Sequence, residues 1–178
     1  MDLKKLLASL TALVSLNASA ALKVGDVAPD FTAQASLGGK VYSYSLYNAL
    51  KDGPVVVYFY PAAFTPGCTI EAHDFAEAIE RFGTLGASVI GVSHDPIEKL
   101  QRFSVSECRG KFPVAEDTDG TIMKAYDATM PIFSSYASRT SYVIAPDHRI
   151  VYVYTSLSPD KHVENTLAAV KRWQEVGR

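Results

Sequence analysis

The chain has 178 residues, 48% hydrophobic and 11% aromatic, which suffices for one well-packed core and requires no second domain. Its 17 Lys and Arg stand against 19 Asp and Glu, with no long basic run and no basic patch interleaved with aromatics. That balance argues against a nucleic-acid partner and points to a small neutral one.

Residues 1–20 read as an export signal. Lys4 and Lys5 precede an apolar run of 11 residues, LLASLTALVSL, and Ala18-Ser19-Ala20 offers a small-x-small cleavage site. The run falls short of the ~20 residues that cross a bilayer, so cleavage after Ala20 is expected rather than a retained anchor. Removing Lys4, Lys5 and Asp2 leaves 17 − 2 = 15 basic and 19 − 1 = 18 acidic side chains, a formal charge of −3 on a domain spanning 21–178. Such a domain is periplasmic or otherwise exported, free of the membrane, and in a compartment where two cysteines can pair.

Residues 31–47 alternate around Gly38-Gly39 as a hairpin, and a short helical segment follows, ending at Gly53. Residues 54–60, PVVVYFY, form a continuous apolar run of strand length that a central strand covered on both faces requires, and Pro61 ends it. From Pro66 the period becomes helical through Ala72, Phe75, Ala76, Ile79 and Phe82, with Gly83 as the expected stop. Residues 87–93 give a second buried strand, and Asp95-Pro96 opens a helix with Ile97, Leu100 and Phe103 on one face. A short strand at 111–115 and a short helix at 120–126 come next. Strands at 140–145 and 149–155 meet at Pro146-Asp147-His148, and a helix closes the chain over 160–176. The order predicts an α/β fold in which a mixed sheet lies between helices, preceded by an N-terminal β-hairpin.

Cys68 lies where the first buried strand gives way to a helix. With Thr65 as N-cap, Pro66 at N1 and Gly67 at N2, Cys68 falls at N3, a place that usually carries Glu or Gln beside unpaired backbone N–H groups. Helix N-termini favour thiolate over thiol, so a nucleophilic cysteine is expected. The alternatives are a buried cysteine packed as a small hydrophobe, or half of an inert disulfide with Cys108.

The stretch PAAFTPGCT, 61–69, resembles the PxxxTxxC signature of the peroxiredoxins, in the TPGCT form of the bacterioferritin-comigratory or Q-type branch. The resemblance extends over the chain from VGDVAPDF, 24–31, to RTSYVI, 139–144, where Ser141 and Tyr142 depart conservatively from the family's R-x-T-F strand. It implies a thioredoxin-like fold and a thiol peroxidase that needs no cofactor. In that reading Cys68 is the peroxidatic cysteine, Thr65 hydrogen-bonds thiolate and peroxide through its hydroxyl, Pro61 shields the sulfur and Arg139 supplies a guanidinium. In-line cleavage of an O–O bond needs an anionic sulfur, a donor holding the attacked oxygen, and positive or dipolar groups where charge builds on the leaving oxygen, which Thr65, backbone N–H groups and Arg139 can provide. Unaided by the resemblance, Arg139 is one of several arginines and reads as an ordinary strand-edge residue. Glu71 matches a glutamate frequent in the branch but also reads as a helix-dipole carboxylate, and it stays outside the expected catalytic set.

Many Q-type members carry a second cysteine five residues after the first. Here that position is His73, and the only other thiol is Cys108. The resemblance is then to the variant whose resolving cysteine lies further along the chain, with Arg109 favouring its thiolate. Recycling would fall to a thioredoxin-like dithiol protein, and the enzyme would be a monomer or weak homodimer. His94, His148 and His162 have no metal-ligand spacing, and no metal is expected. Two other functions compete: a thioredoxin-fold disulfide carrier, disfavoured because Thr65 stands where a CxxC pair would begin, and a module stapled by an inert disulfide. A one-cysteine peroxidase with Cys108 as spectator is the nearest variant.

Overall fold

The computed structural model describes residues 22–177, so the export signal expected over 1–20 lies outside the described residues. In chain order the elements are β1 (Thr32–Leu37), β2 (Lys40–Ser45), α1 (Leu46–Ala49), β3 (Val55–Phe59), α2 (Pro66–Thr84), β4 (Ser88–Ser93), α3 (Ile97–Ser106), β5 (Val114–Glu116), α4 (Thr121–Ala125), β6 (Thr140–Ile144), β7 (Ile150–Thr155) and α5 (His162–Val176). The strands make one mixed sheet in the order β2-β1-β5-β4-β3-β6-β7. Strands β3, β4 and β5 run parallel through helical crossovers, and the remaining pairings are antiparallel.

Strand β3 separates the two cores. All five of its residues are buried, and because side chains alternate across a strand they divide between opposite faces. Val56 and Tyr58 pack with Phe75 and Phe82 of α2, Leu100 and Phe103 of α3, and Val163 and Leu167 of α5. Val55, Val57 and Phe59 meet Leu46 of α1, Met123 of α4 and Tyr126. Tyr58 stacks on Phe75 with ring centroids 4.4 Å apart, a contact that fixes α2 on the sheet at about 1.5–3 kcal/mol for the buried phenyl ring. Cys68, about two turns before Phe75, is thereby held at the C-terminal end of β3.

The first hairpin turns at Gly38 and Gly39, whose φ of 55° and 81° are those of a two-residue turn that only glycine adopts freely. The stop of α2 differs from expectation. The helix runs through Gly83 to Thr84, and the left-handed residue that ends it is Gly86, φ 64°. Gly86 N–H donates to the Gly83 carbonyl and Ala87 N–H to the Phe82 carbonyl, both at 2.9 Å. Those two bonds form a Schellman cap, which outweighs the ~1 kcal/mol that a helical glycine costs. Among the described residues no helix is long and apolar enough to cross a membrane.

Candidate active site

The loop between β3 and α2 is tied down from the next crossover. Asp95 accepts from Ala63 N–H at 2.7 Å and from the Ser93 hydroxyl at 2.9 Å, and its other oxygen pairs with Lys99 at 2.6 Å. Phe64 takes the left-handed conformation, φ 69°, and sets its ring edge-on to Phe103 at 5.2 Å. Holding a bulky residue there stores backbone strain beside the cysteine. Pro61 is half-buried on the same loop. Asp95 is a site-shaping residue that the sequence reading used only to open a helix.

Thr65 occupies the N-cap position of α2, but its side chain caps nothing. Its hydroxyl instead donates to the Ala62 carbonyl at 2.9 Å. The expected threonine cap is corrected to a turn-closing bond. Because a hydroxyl has one hydrogen, this bond leaves only the lone pairs of Oγ1 to face a ligand.

Cys68, 1% exposed, accepts from Arg139 Nη2 at 3.5 Å, so the two residues that the resemblance paired do meet. Thr140 pairs with Phe59 across the β3–β6 ladder, which brings the adjacent Arg139 off the sheet at the end where α2 begins. The guanidinium is fixed on two further sides. Nε donates to the Leu157 carbonyl at 3.0 Å, and Nη1 donates a short hydrogen bond to Glu71 Oε2. Gly67 makes the approach possible, since a Cβ there would lie 3.0 Å from Arg139 Nη2.

Glu71, Arg139, Ser141 and His162 form a buried polar cluster behind the sulfur. His162 Nε2 lies 3.0 Å from the Ser156 carbonyl, which can only accept, so Nε2 carries the hydrogen. Nδ1 of the neutral ring is then an acceptor, and the Ser141 hydroxyl donates to it at 2.7 Å. Burial pushes His162 down to about 4, with Arg139 acting in the same direction, and the ring is neutral at physiological pH. Burial pushes the Glu71 carboxyl up to about 8 against the pull of Arg139. Glu71 was legible in part: three residues after Cys68, it puts a carboxyl on the apolar stripe of an amphipathic helix. His162 had no signal, because only tertiary packing brings α5 to α2.

Cys108 is, like Cys68, a free and buried thiol, and both belong to the core layer between the sheet and helices α2, α3 and α5. It follows the end of α3 by two residues, its N–H bonded to the Phe103 carbonyl at 3.1 Å. The expectation that Arg109 favours its thiolate is corrected. Arg109 turns outward to pair with Glu77 at 3.2 Å, while burial and then Glu107 push the Cys108 thiol up. The segment carrying Cys108 is fastened to α2 by three pairs: His73–Glu107 at 2.9 Å, Glu77–Arg109 and Glu80–Lys111 at 3.8 Å. Positions 73, 77 and 80 lie on successive turns of one helix face. Among the described residues no cluster of His, Cys, Asp or Glu could hold a metal ion.

Residues 24–153 match the model of the AhpC/TSA family. The chain belongs to that family. A Mycobacterium tuberculosis protein provisionally named a peroxiredoxin is 34% identical over 153 residues, 84% of this chain and 97% of that one. Peroxiredoxin Q, chloroplastic, of Oryza sativa subsp. japonica is 34% identical over 144 residues, 80% of this chain and 64% of that one. The crystal structure of peroxidoxin BcpB from M. tuberculosis superposes on 85% of this AhpC/TSA chain and 97% of its own, with a TM-score of 0.77 at 33% identity. A mutant of Xylella fastidiosa PrxQ does so over 87% and 99%, with a TM-score of 0.76 at 25% identity. The seven-stranded mixed sheet is thus the thioredoxin-like sheet of peroxiredoxins, as the resemblance implied, and the Q-type relatives are among the chain's neighbours.

Proposed function

We propose that this AhpC/TSA protein is a thiol-dependent peroxidase that reduces hydrogen peroxide and small organic hydroperoxides at Cys68. The observation that carries the reading is the Arg139 guanidinium 3.5 Å from a sulfur in the first turn of a helix. The thiolate attacks the terminal peroxide oxygen, the S–O bond forms as the O–O bond breaks, and the leaving oxide takes a proton. Sulfur loses two electrons and the peroxide gains them. Thr65 receives the peroxide O–H on its free lone pairs, Pro61 covers one side of the sulfur, and Arg139 stabilises both the thiolate and the charge growing on the leaving oxygen.

Cys108 then attacks the sulfenic acid, forming an intramolecular disulfide and releasing water, and a thioredoxin-like dithiol protein reduces it. Both thiols are buried, so resolution follows local opening of the first turn of α2, of the Cys108 segment, or of both. The first turn is suited to opening, having no side-chain cap. Residues 1–20 direct export and are removed, which an N-terminal sequence beginning at Ala21 on periplasmic protein would establish.

Intact mass after one equivalent of peroxide tests the site. Wild type should lose two hydrogens as a disulfide forms, Cys108→Ser should gain one oxygen on Cys68, and Cys68→Ser should be unchanged. Wild-type turnover by Cys68→Ser removes the proposal, and normal turnover of Cys108→Ser with the same reductant makes Cys108 a spectator.

A further inference from the structure

One guanidinium serves two acids. Arg139 donates through Nη2 to the Cys68 sulfur and through Nη1 to Glu71, and all three groups are withdrawn from solvent. If both acids were ionised the buried group would carry a net negative charge, which a low-dielectric interior resists. The other oxygen of Glu71, Oε1, is buried with no hydrogen-bond partner and lies 3.6 Å from His162 Nδ1. The one lone pair of that nitrogen already accepts the Ser141 hydroxyl, so Oε1 meets no donor there. A buried carboxylate oxygen without a donor bears the full cost of its desolvated charge, which a proton on Oε1 removes.

We propose that Glu71 holds a proton on Oε1 in the reduced enzyme, leaving Arg139 free to stabilise the Cys68 thiolate, and releases it when the thiolate is oxidised. Glu71 is a positioning residue and proton store that acts through Arg139. The step balances: Cys68 thiolate, hydroperoxide and Glu71 carboxylic acid give Cys68 sulfenic acid, alcohol or water, and Glu71 carboxylate. The O–O bond breaks and an S–O bond forms, with two electrons passing from sulfur to the peroxide. The proton lost by Glu71 matches the one gained by the leaving oxygen. The negative charge moves from sulfur to carboxylate and stays beside Arg139. The groups facing Glu71 are Cys68 and Asp74 on α2, Arg139 at the start of β6, Tyr58 on β3 and His162 on α5. Burial holds the carboxyl in its acid form up to about pH 8, which agrees with a stored proton at neutral pH.

The inference rests on Cys68 being the oxidised thiol, which loss of thiolate absorbance on mixing with peroxide reads separately. Infrared difference spectra of the full-length protein before and after one equivalent of hydrogen peroxide should show loss of a carboxylic-acid carbonyl stretch, absent in Glu71→Gln. Rapid mixing with a pH indicator should show Glu71→Gln taking up one proton more per thiolate oxidised than wild type. Wild-type attack should also slow as pH rises through about 8, where Glu71 ionises and competes for Arg139, a limb that Glu71→Gln lacks. No carboxylic-acid band in reduced wild type at neutral pH overturns the proposal, as does a band that survives oxidation or an equal proton count in the two proteins. The band and its loss are read on wild type alone, so the test stands even if Glu71→Gln fails to fold.

Discussion

Replacing Gly67 by alanine adds one methyl group in the tightest part of the site. The new Cβ would sit 3.0 Å from Arg139 Nη2 and 3.8 Å from Cζ, closer than a carbon and a guanidinium nitrogen rest. Arg139 is held by Leu157 and Glu71, so relief of the contact is expected to come from a small shift of Nη2 that lengthens its bond to the sulfur. A retreat of about 0.5 Å from the present 3.5 Å weakens the charge–charge attraction by roughly 0.6 kcal/mol at an effective dielectric constant of about 20. That is about threefold in the rate of thiolate attack on peroxide when the contact acts on the charge growing on the leaving oxygen rather than on the resting thiolate. Stability should move the other way. Alanine is the better helix former by up to about 1 kcal/mol, less in a first turn, so Tm should hold or rise. Stopped-flow oxidation of Cys68 and a thermal melt on the same preparation separate the two effects. An unchanged attack rate in a variant of equal or higher Tm would refute the claim that Arg139 acts on the sulfur through this contact.

Thr65→Val keeps the shape and removes the hydroxyl, breaking the bond to Ala62 at about 1 kcal/mol and slowing peroxide attack about tenfold, while circular dichroism stays unchanged. An unaltered rate of Cys68 oxidation takes Thr65 out of the mechanism. His162 makes folding sensitive to acid: its folded value of about 4 lies below the ~6.5 of the unfolded chain, so between these the unfolded state binds more protons and stability falls as pH drops, by up to about 3 kcal/mol. Glu71, raised to about 8, contributes with the opposite sign, its stabilisation being lost as pH climbs from about 4.5. The difference between wild type and His162→Gln in urea midpoints at pH 7 and 4.5 isolates the histidine, and equal pH dependence in the two proteins contradicts its buried neutral state. The Glu77–Arg109 and Glu80–Lys111 ion pairs that fasten the Cys108 segment are partly exposed and worth under about 1 kcal/mol each, so raising salt should speed disulfide formation a few-fold. A time course of intact mass that ignores ionic strength shows that opening this segment does not limit resolution.

Periodicity located the twelve elements because each buries an apolar face, and a face leaves its spacing in the chain. The two misplaced ends of α2 are local choices, whereas Arg109 was misread because adjacency in sequence does not fix where its side chain turns. Gly83 was the expected stop, but the left-handed turn falls at Gly86, which lets Gly86 N–H reach the Gly83 carbonyl and Ala87 N–H the Phe82 carbonyl. Thr65 was assigned the cap that threonine favours, whereas the strained Phe64 turn draws its hydroxyl back to Ala62. At the site, Cys68 was legible from its position in a first turn, and Arg139 only from a family pattern. Glu71 left a trace as a carboxyl on an apolar stripe. The bond from Asp95 to Ala63 and the one between Ser141 and His162 left none, since the partners lie 32 and 21 residues apart and no spacing rule links them.

His73 occupies the position where many Q-type chains keep their second cysteine, and it is bound at 2.9 Å to Glu107, the neighbour of Cys108. Under the proposed route the thiol that resets the enzyme is not on α2, and position 73 instead moors the segment that carries it. The two positions are therefore coupled in space. Restoring cysteine at 73 would add a rival thiol and at the same time loosen the segment bearing Cys108, while deleting Cys108 alone would leave the mooring with nothing to hold. Single changes at either position should combine non-additively, because one contact joins the position of the rival thiol to the segment of the present one.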